Sequence, residues 1–169
     1  MRIIAFVILF AASAVAQGLP PAPSTGACGH GNVSFKVKLD ESPHVLAQTD
    51  LGKALVYFFH DAGTGQTLGY PTVKLAMDGA WIGANHGNSY FSVSVGPGEH
   101  HVCVTLQSSL VAQRVELAHF TAEAEKVYYY RTRLVMSRSV ELLELEPINS
   151  DQGKYLITSL PLSISTPKK

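Results

Sequence analysis

A run of six apolar residues, Ala54–Phe59 (ALVYFF), constrains the fold of this chain more than any other segment. Successive side chains of an extended strand point to opposite faces, so this run needs apolar cover on both sides. An edge strand, or a strand with one face in water, would not tolerate such a run. The run therefore predicts a strand at the centre of a sandwich.

Most other apolar segments alternate with polar residues at period two, which is typical of half-buried strands. Turn signals such as Asp78-Gly79 separate these segments. Short strands at near-regular spacing predict an all-β fold, a single β-sandwich of about eight or nine short, mostly antiparallel strands. The strand signals outside the central run include Val33–Leu39, Pro71–Met77, Tyr90–Val95, Val111–Thr121 and Lys126–Met136.

One short C-terminal helix is predicted over Asp151–Thr158. Ser150 is the expected N-terminal cap, because its hydroxyl can accept a hydrogen bond from the first turn. Gly153 lowers the helix propensity of this segment. We expect the sandwich domain to span residues 32–160 and residues 161–169 to form a frayed C-terminal tail.

The first 16 residues have the layout of a secretory signal peptide, with Arg2, the apolar run Ile3–Ala12 and an Ala-x-Ala exit. Cleavage is expected between Ala16 and Gln17. A buried N-terminal strand or helix is the alternative. Residues 17–31 are rich in proline and glycine and are predicted to form a tether.

The apolar run of the signal is shorter than the roughly 20 residues of a membrane-spanning helix, and no later stretch is longer. We therefore expect a secreted or periplasmic protein with no integral membrane span after signal removal. Lipid anchoring at Cys28 is an alternative, although a polar segment separates this cysteine from the apolar run.

The chain has two cysteines, Cys28 and Cys103, so only one intrachain disulfide is possible. Export would place both in an oxidising compartment, which favours the bond over two free buried thiols. Cys103 alternates with Val102 and Val104, so it should point away from the main core. The bond would then pin the N-terminal segment, including the strand Val33–Leu39, across an outer face.

The 13 basic and 13 acidic residues cancel, and charged residues make up only 15% of the chain. The sequence therefore has no excess of positive charge for nucleic acid to attract. The 46% of apolar residues also argues against disorder and for one domain with a sizeable core.

No motif for catalysis or cofactor binding stands out. The sequence contains no Gly-x-Ser-x-Gly elbow, and its seven histidines show no short-range ligand spacing. His100 and His101 are adjacent in a predicted strand, so they should point to opposite faces. We expect a protein that is not an enzyme, with no catalytic, cofactor-binding or metal-binding residue; a metal-dependent enzyme is a weaker alternative.

Three residues are candidates for a ligand-binding face: His119, Tyr129 and Arg131. A pocket that joined them would indicate binding. His119 shares a predicted strand face with Val115 and Leu117, so it should be partly buried. A carbohydrate- or peptide-binding role would also be favoured if four aromatic residues formed an exposed platform, namely Tyr57, Trp81, Tyr90 and Tyr129.

The central region resembles the bacterial domain-of-unknown-function family 2846, whose members are small exported or lipid-anchored β-domains. The similar segments are Gly52–Phe58, Val73–Gly83, Gly87–Phe91 and Gly96–His100, within a matching region of Lys53–Glu146. The hairpin pattern is also similar to that of the PEGA surface module. Unlike the lipid-anchored members, this chain has no cysteine at the end of its signal.

The resemblance implies an exported, non-enzymatic domain of the cell envelope with a structural or protein-interaction role. The expected partner is an envelope protein or a glycan, and no cofactor is expected. The family brings no known catalytic residues, so none is carried over to this chain.

Overall fold

The computed structural model describes residues 28–61, 71–107, 115–137 and 140–168. The predicted signal peptide, most of the predicted tether and the expected cleavage residues Ala16 and Gln17 lie outside the described residues.

Ten strands and one helix lie in the described ranges. In chain order they are β1 (Phe35–Asp40), β2 (Ala54–His60), β3 (Thr72–Met77), β4 (Ala80–His86), β5 (Ser89–Val95), β6 (Gly98–Leu106), β7 (Val115–Ala122), β8 (Val127–Ser137), β9 (Val140–Pro147), α1 (Ser150–Ser159) and β10 (Leu162–Pro167).

The strands form two facing sheets. Sheet A has six strands in the order β1-β10-β5-β2-β8-β9, and sheet B has four in the order β4-β3-β6-β7. Most neighbours are antiparallel, while β2 with β8 and β10 with β5 are parallel pairs. The predicted all-β sandwich is confirmed.

The C-terminal residues form a strand, so the prediction of a frayed tail from residue 161 is wrong. β10 pairs with β1 from Leu162 to Pro167 and meets β5 at Tyr90. Prolines suggested a tail, but Pro161 precedes the strand and Pro167 is its last residue, so neither removes a donor from the middle of the ladder. The domain therefore extends to Pro167 instead of ending at 160.

Strand β2 lies inside sheet A, and the burial of its first six residues, Ala54–Phe59, is as the sequence predicted. The seventh residue, His60, was expected in a loop but extends the strand and is also buried. Ala54, Val56 and Phe58 face sheet B and belong to the main core. The opposite row packs beneath α1 in a second cluster, which contains Leu55, Tyr57, Phe59, Tyr90, Tyr129, Leu156 and Ile157. The helix therefore forms a third layer that covers the outer face of sheet A.

Helix α1 begins one residue earlier than predicted, and its cap is Asn149 instead of Ser150. The Asn149 side chain accepts a hydrogen bond of 2.9 Å from the backbone N–H of Gln152. Gly153 lets the helix approach the sheet, since a Cβ at this position would lie within 2.8 Å of three ring carbons of Tyr129. Gly153 lowers the propensity of the segment to form a helix, but the packing of the helix against Tyr129 requires it.

We predict that Gly153→Ala destabilises the protein. Alanine would favour an isolated helix by about 1 kcal/mol. Here its methyl group must displace the buried ring of Tyr129, which costs on the order of 1–3 kcal/mol. This cost outweighs the gain in helix propensity, so the substitution lowers the free energy of unfolding. Urea unfolding would measure the change, with Lys154→Ala on the exposed side of α1 as the control. A Gly153→Ala protein more stable than the wild type would contradict this packing.

Candidate functional site

Cys28 and Cys103 form the predicted disulfide. Cys103 is fully buried and packs with Ala76, Cys28 and Trp81 in a small cluster separate from the main core. The prediction that Cys103 points away from that core is therefore confirmed. The bond lies on the outer face of sheet B.

Residues 28–34, which we call the strap, cross the outer face of sheet B from this disulfide. Trp81 Nε1 donates a hydrogen bond of 3.3 Å to the Gly31 carbonyl, and Lys74 Nζ donates one of 2.9 Å to the Val33 carbonyl. Gly29 lies against the indole, where a Cβ would fall within 2.5 Å of three ring atoms of Trp81. The strap is therefore held to the sheet through its backbone carbonyls. It lies close to Trp81 because Gly29 has no side chain.

Lys74 is almost completely buried beneath the strap, and burial lowers the pKa of its ammonium group. Its Nζ lies 4.5 Å from the centre of the Trp81 ring, within the range of a cation–π contact. The Val33 carbonyl and the indole face thus replace part of the water that an exposed ammonium would bind.

The strap does not continue as a strand on this face, so that part of the prediction is wrong. At Phe35 the chain turns to sheet A, where β1 pairs with β10. Gln107 holds the crossing point: its Oε1 accepts from the Phe35 N–H at 2.6 Å, and its Nε2 donates to the Phe35 carbonyl at 3.0 Å. In sheet A, the backbone of β1 forms a ladder of hydrogen bonds with the backbone of β10. The outer face of sheet B offers no strand edge for such pairing.

The strap leaves the other half of this outer face uncovered, and we call that half the open face. It consists of Glu99 and His101 on β6 and of Val115, Leu117, His119 and Thr121 on β7. All six are exposed. Val115 and Leu117 keep 45% and 49% of their surface accessible. His119 shares their face as predicted, but that face is turned to solvent, because Phe120 and Ala122 are the residues of β7 that enter the core.

Tyr129 and Arg131 lie on the outer face of sheet A, on the opposite side of the sandwich from His119. Tyr129 is buried beneath α1, with its ring stacked 5.6 Å from that of Tyr57. Arg131 is engaged in ion pairs, with Nε 2.9 Å from Glu146 Oε1 and Nη1 3.6 Å from Asp61 Oδ2. The three predicted ligand-face residues therefore do not line one pocket.

The expected aromatic platform is not formed either. Tyr57, Tyr90 and Tyr129 are at most 8% exposed and belong to the cluster beneath α1. Trp81 lies on the other sheet, against the strap. A shallow groove of about 410 Å³ lies between residues 41–44 and 157–161 on this side of the molecule, and its lining includes no tyrosine or tryptophan.

His60 is a buried residue that sequence reasoning did not single out. It directly follows the central apolar run as the last residue of β2, in phase with Val56 and Phe58, so it points between the sheets and is fully buried. Burial lowers its pKa to about 4, and a 3.2 Å hydrogen bond between Nδ1 and the Thr132 carbonyl only partly opposes that effect. The sequence signal for its burial was its position two residues after Phe58, which places it on the same strand face as Val56 and Phe58.

His100 and Asp78 form a second titratable site, at the turn between β3 and β4. Burial alone would lower the pKa of His100, but hydrogen bonds to Asp78 Oδ2 (2.7 Å) and to the Gly96 carbonyl (2.8 Å) outweigh it and raise the pKa. Both partners are acceptors, so both ring nitrogens donate, as only the imidazolium form can. His100 points to the face opposite His101, as predicted.

No protein-family model, curated protein or solved structure matches this chain. The resemblance to family 2846 stays a prediction from the turn and strand pattern. Among the described residues, no set of three or more His, Cys, Asp or Glu side chains is placed to hold one metal ion. Within the same ranges, no helix has the length and apolarity needed to cross a bilayer.

We predict that Cys103→Ser releases the strap. The bond closes a loop of 75 residues, for which the chain-entropy model gives an upper stabilisation of about 4 kcal/mol. The melting temperature should fall. The emission of Trp81, the single tryptophan, should shift to longer wavelength as water reaches the indole. Cys28→Ser should reproduce both changes, and a variant with unchanged melting temperature and emission would refute the role assigned to the bond.

We predict that His60 makes the fold sensitive to acid. Its folded pKa of about 4 lies below the ordinary 6.5, so the unfolded chain takes up the proton first. Stability is therefore lost as the pH falls from 6.5 to 4, by up to about 3 kcal/mol. The His100–Asp78 pair does not offset this loss. The stabilisation that follows from the raised pKa of His100 is already fully present below pH 6.5, so it does not increase further as the pH falls.

The measurement is the free energy of unfolding in urea at several pH values between 4 and 7. His60→Gln should flatten the decline, whereas His119→Gln, at an exposed histidine, should leave it unchanged. Equal slopes in the wild type and His60→Gln would show that another group is responsible.

Proposed function

We propose that the protein is an exported, non-enzymatic β-domain of the cell envelope that acts as a structural or protein-interaction module. One observation carries the proposal: the disulfide fixes the strap on half of the outer face of sheet B and leaves the open face beside it accessible along β7. Export is supported by the layout of the first 16 residues and by the disulfide, which is typical of oxidising compartments.

The edges of the two sheets indicate where a partner would bind. Exposed edge strands pair readily with other chains, and proteins usually protect them with charges, prolines or cover. β1 carries the exposed side chains of Lys36 and Lys38. The edge of β4 is covered by β10, since the Ala84 N–H donates a 3.1 Å hydrogen bond to Ser165 Oγ.

Strand β7 lies near β9 of the other sheet, but its own residues provide little of this protection. Its eight residues, VELAHFTA, contain no lysine, arginine or proline and only one acidic residue, Glu116. Its solvent side presents Val115 and Leu117. An extended segment of a partner protein could add to this edge through main-chain hydrogen bonds, with the two aliphatic side chains providing apolar contact.

The alternative function is a carbohydrate- or peptide-binding module. The groove between residues 41–44 and 157–161 favours it, because Glu41, Ser42, Thr158 and Ser159 give its lining polar groups. The burial of Tyr57, Tyr90 and Tyr129 means that the predicted aromatic platform is not available for sugar binding. We therefore place the protein-interaction role first.

The test is photo-crosslinking in cells that export the protein. A photo-reactive amino acid placed at Leu117 should capture a discrete partner protein, identified by mass spectrometry. The same probe at Tyr155 on α1, which is 67% exposed and lies on the opposite side of the sandwich, is the matched control and should capture none. Absence of an adduct at Leu117, or equal capture at both positions, would contradict the proposal; capture at Ser42 alone would favour the groove.

A further inference from the structure

Two histidines of the open face lie directly opposite each other on neighbouring antiparallel strands. His101 of β6 and His119 of β7 are partners in the strand register, and their ring centres are 6.2 Å apart. Both side chains are exposed and project from the same side of sheet B. The sequence separates them by 17 residues, so their proximity depends on the pairing of the two strands.

The ring nitrogens of this pair are available, unlike those of the neighbouring histidine. Both nitrogens of His100 are used by Asp78 and Gly96. His101 Nε2 lies 3.6 Å from Oε1 of Glu99, and the Asp78 carboxylate, which accepts a hydrogen bond from the His101 backbone N–H, is a second charged neighbour. His119 makes no side-chain hydrogen bond within the described part of the chain.

Imidazole nitrogens are common ligands of zinc, copper and nickel ions. Metal–nitrogen bonds of about 2.0–2.1 Å bring the centres of two adjacent imidazole ligands to about 5 Å apart. From 6.2 Å, the rings of His101 and His119 would need to approach by only about 1 Å. Rotation of exposed side chains can supply that movement without a change in the backbone.

We propose that His101 and His119 form a surface site for a divalent transition-metal ion. The two imidazoles are the protein ligands, water occupies the other positions, and the negative charge of nearby Glu99 favours a cation without binding it directly. Because no third ligand among the described residues is placed to close the site, the ion is exchangeable. Copper(II) should bind more tightly than zinc, following the usual order for divalent ions.

The site goes beyond the proposed function and is independent of it, since an ion can bind without a partner protein. The closing experiment therefore uses the purified, disulfide-bonded protein and the metal ion alone. A negative result would leave the photo-crosslinking test of the partner surface unaffected.

The experiment is calorimetric titration with copper(II) and with zinc. The wild type should bind one copper(II) ion per chain at the pair, and His101→Ala and His119→Ala should each weaken that binding by about tenfold or more, because each removes one arm of the chelate. His30→Ala, at an exposed histidine of the strap, is the matched control and should change it by less than about twofold.

Electron paramagnetic resonance of the copper(II) complex should show two coordinated imidazole nitrogens. The site is refuted if either single variant binds copper(II) as tightly as the wild type, or if His30→Ala weakens binding as much as the other two. A spectrum with one imidazole nitrogen would also refute it. Because both histidines are exposed, the substitutions should leave the unfolding curve unchanged, which the urea assay checks.

Discussion

The burial of strand β2 on both faces is the constraint that organises the rest of the fold. One row of its side chains needs sheet B and the other needs a third layer, which α1 supplies. The helix can cover that row only by coming close to the sheet, and this explains a glycine in its second turn, over Tyr129. The same burial makes His60 neutral, because the last residue of the inward row lies where an imidazolium would be desolvated.

The disulfide divides the outer face of sheet B into two regions with different properties. Beneath the strap, Lys74 and Trp81 each donate a hydrogen bond to a main-chain carbonyl. Beside it, the open face keeps its aliphatic and imidazole groups in water. Cys103 and Leu117 are register partners across that division, so the covalent bond lies next to the surface proposed for binding.

Local patterns predicted the parts of the structure that depend on local chemistry. The two-faced apolar run identified β2, and the alternation around Cys103 identified the direction of its side chain. Alternation shows which residues share a face, but the side on which the other sheet lies is a property of the whole fold, which is why His119 was expected to be partly buried. β10 was missed because its ladder depends on a partner more than 120 residues away, β1. The proximity of His101 and His119 likewise could not be predicted from local patterns, because it depends on the register between β6 and β7.

The position of the disulfide also determines how the domain would carry tension. A pull on the chain before Cys28 passes through the sulfur bridge directly to Cys103, so residues 29–102 lie inside a covalent loop and are shielded from extension. The load enters β6, which is held on both sides by β3 and β7. Strand β1, whose antiparallel pairing with β10 could be peeled apart from one end, bears none of it from that direction. A domain suspended by its N-terminal tether would thus be anchored through the interior of a sheet instead of through an edge strand.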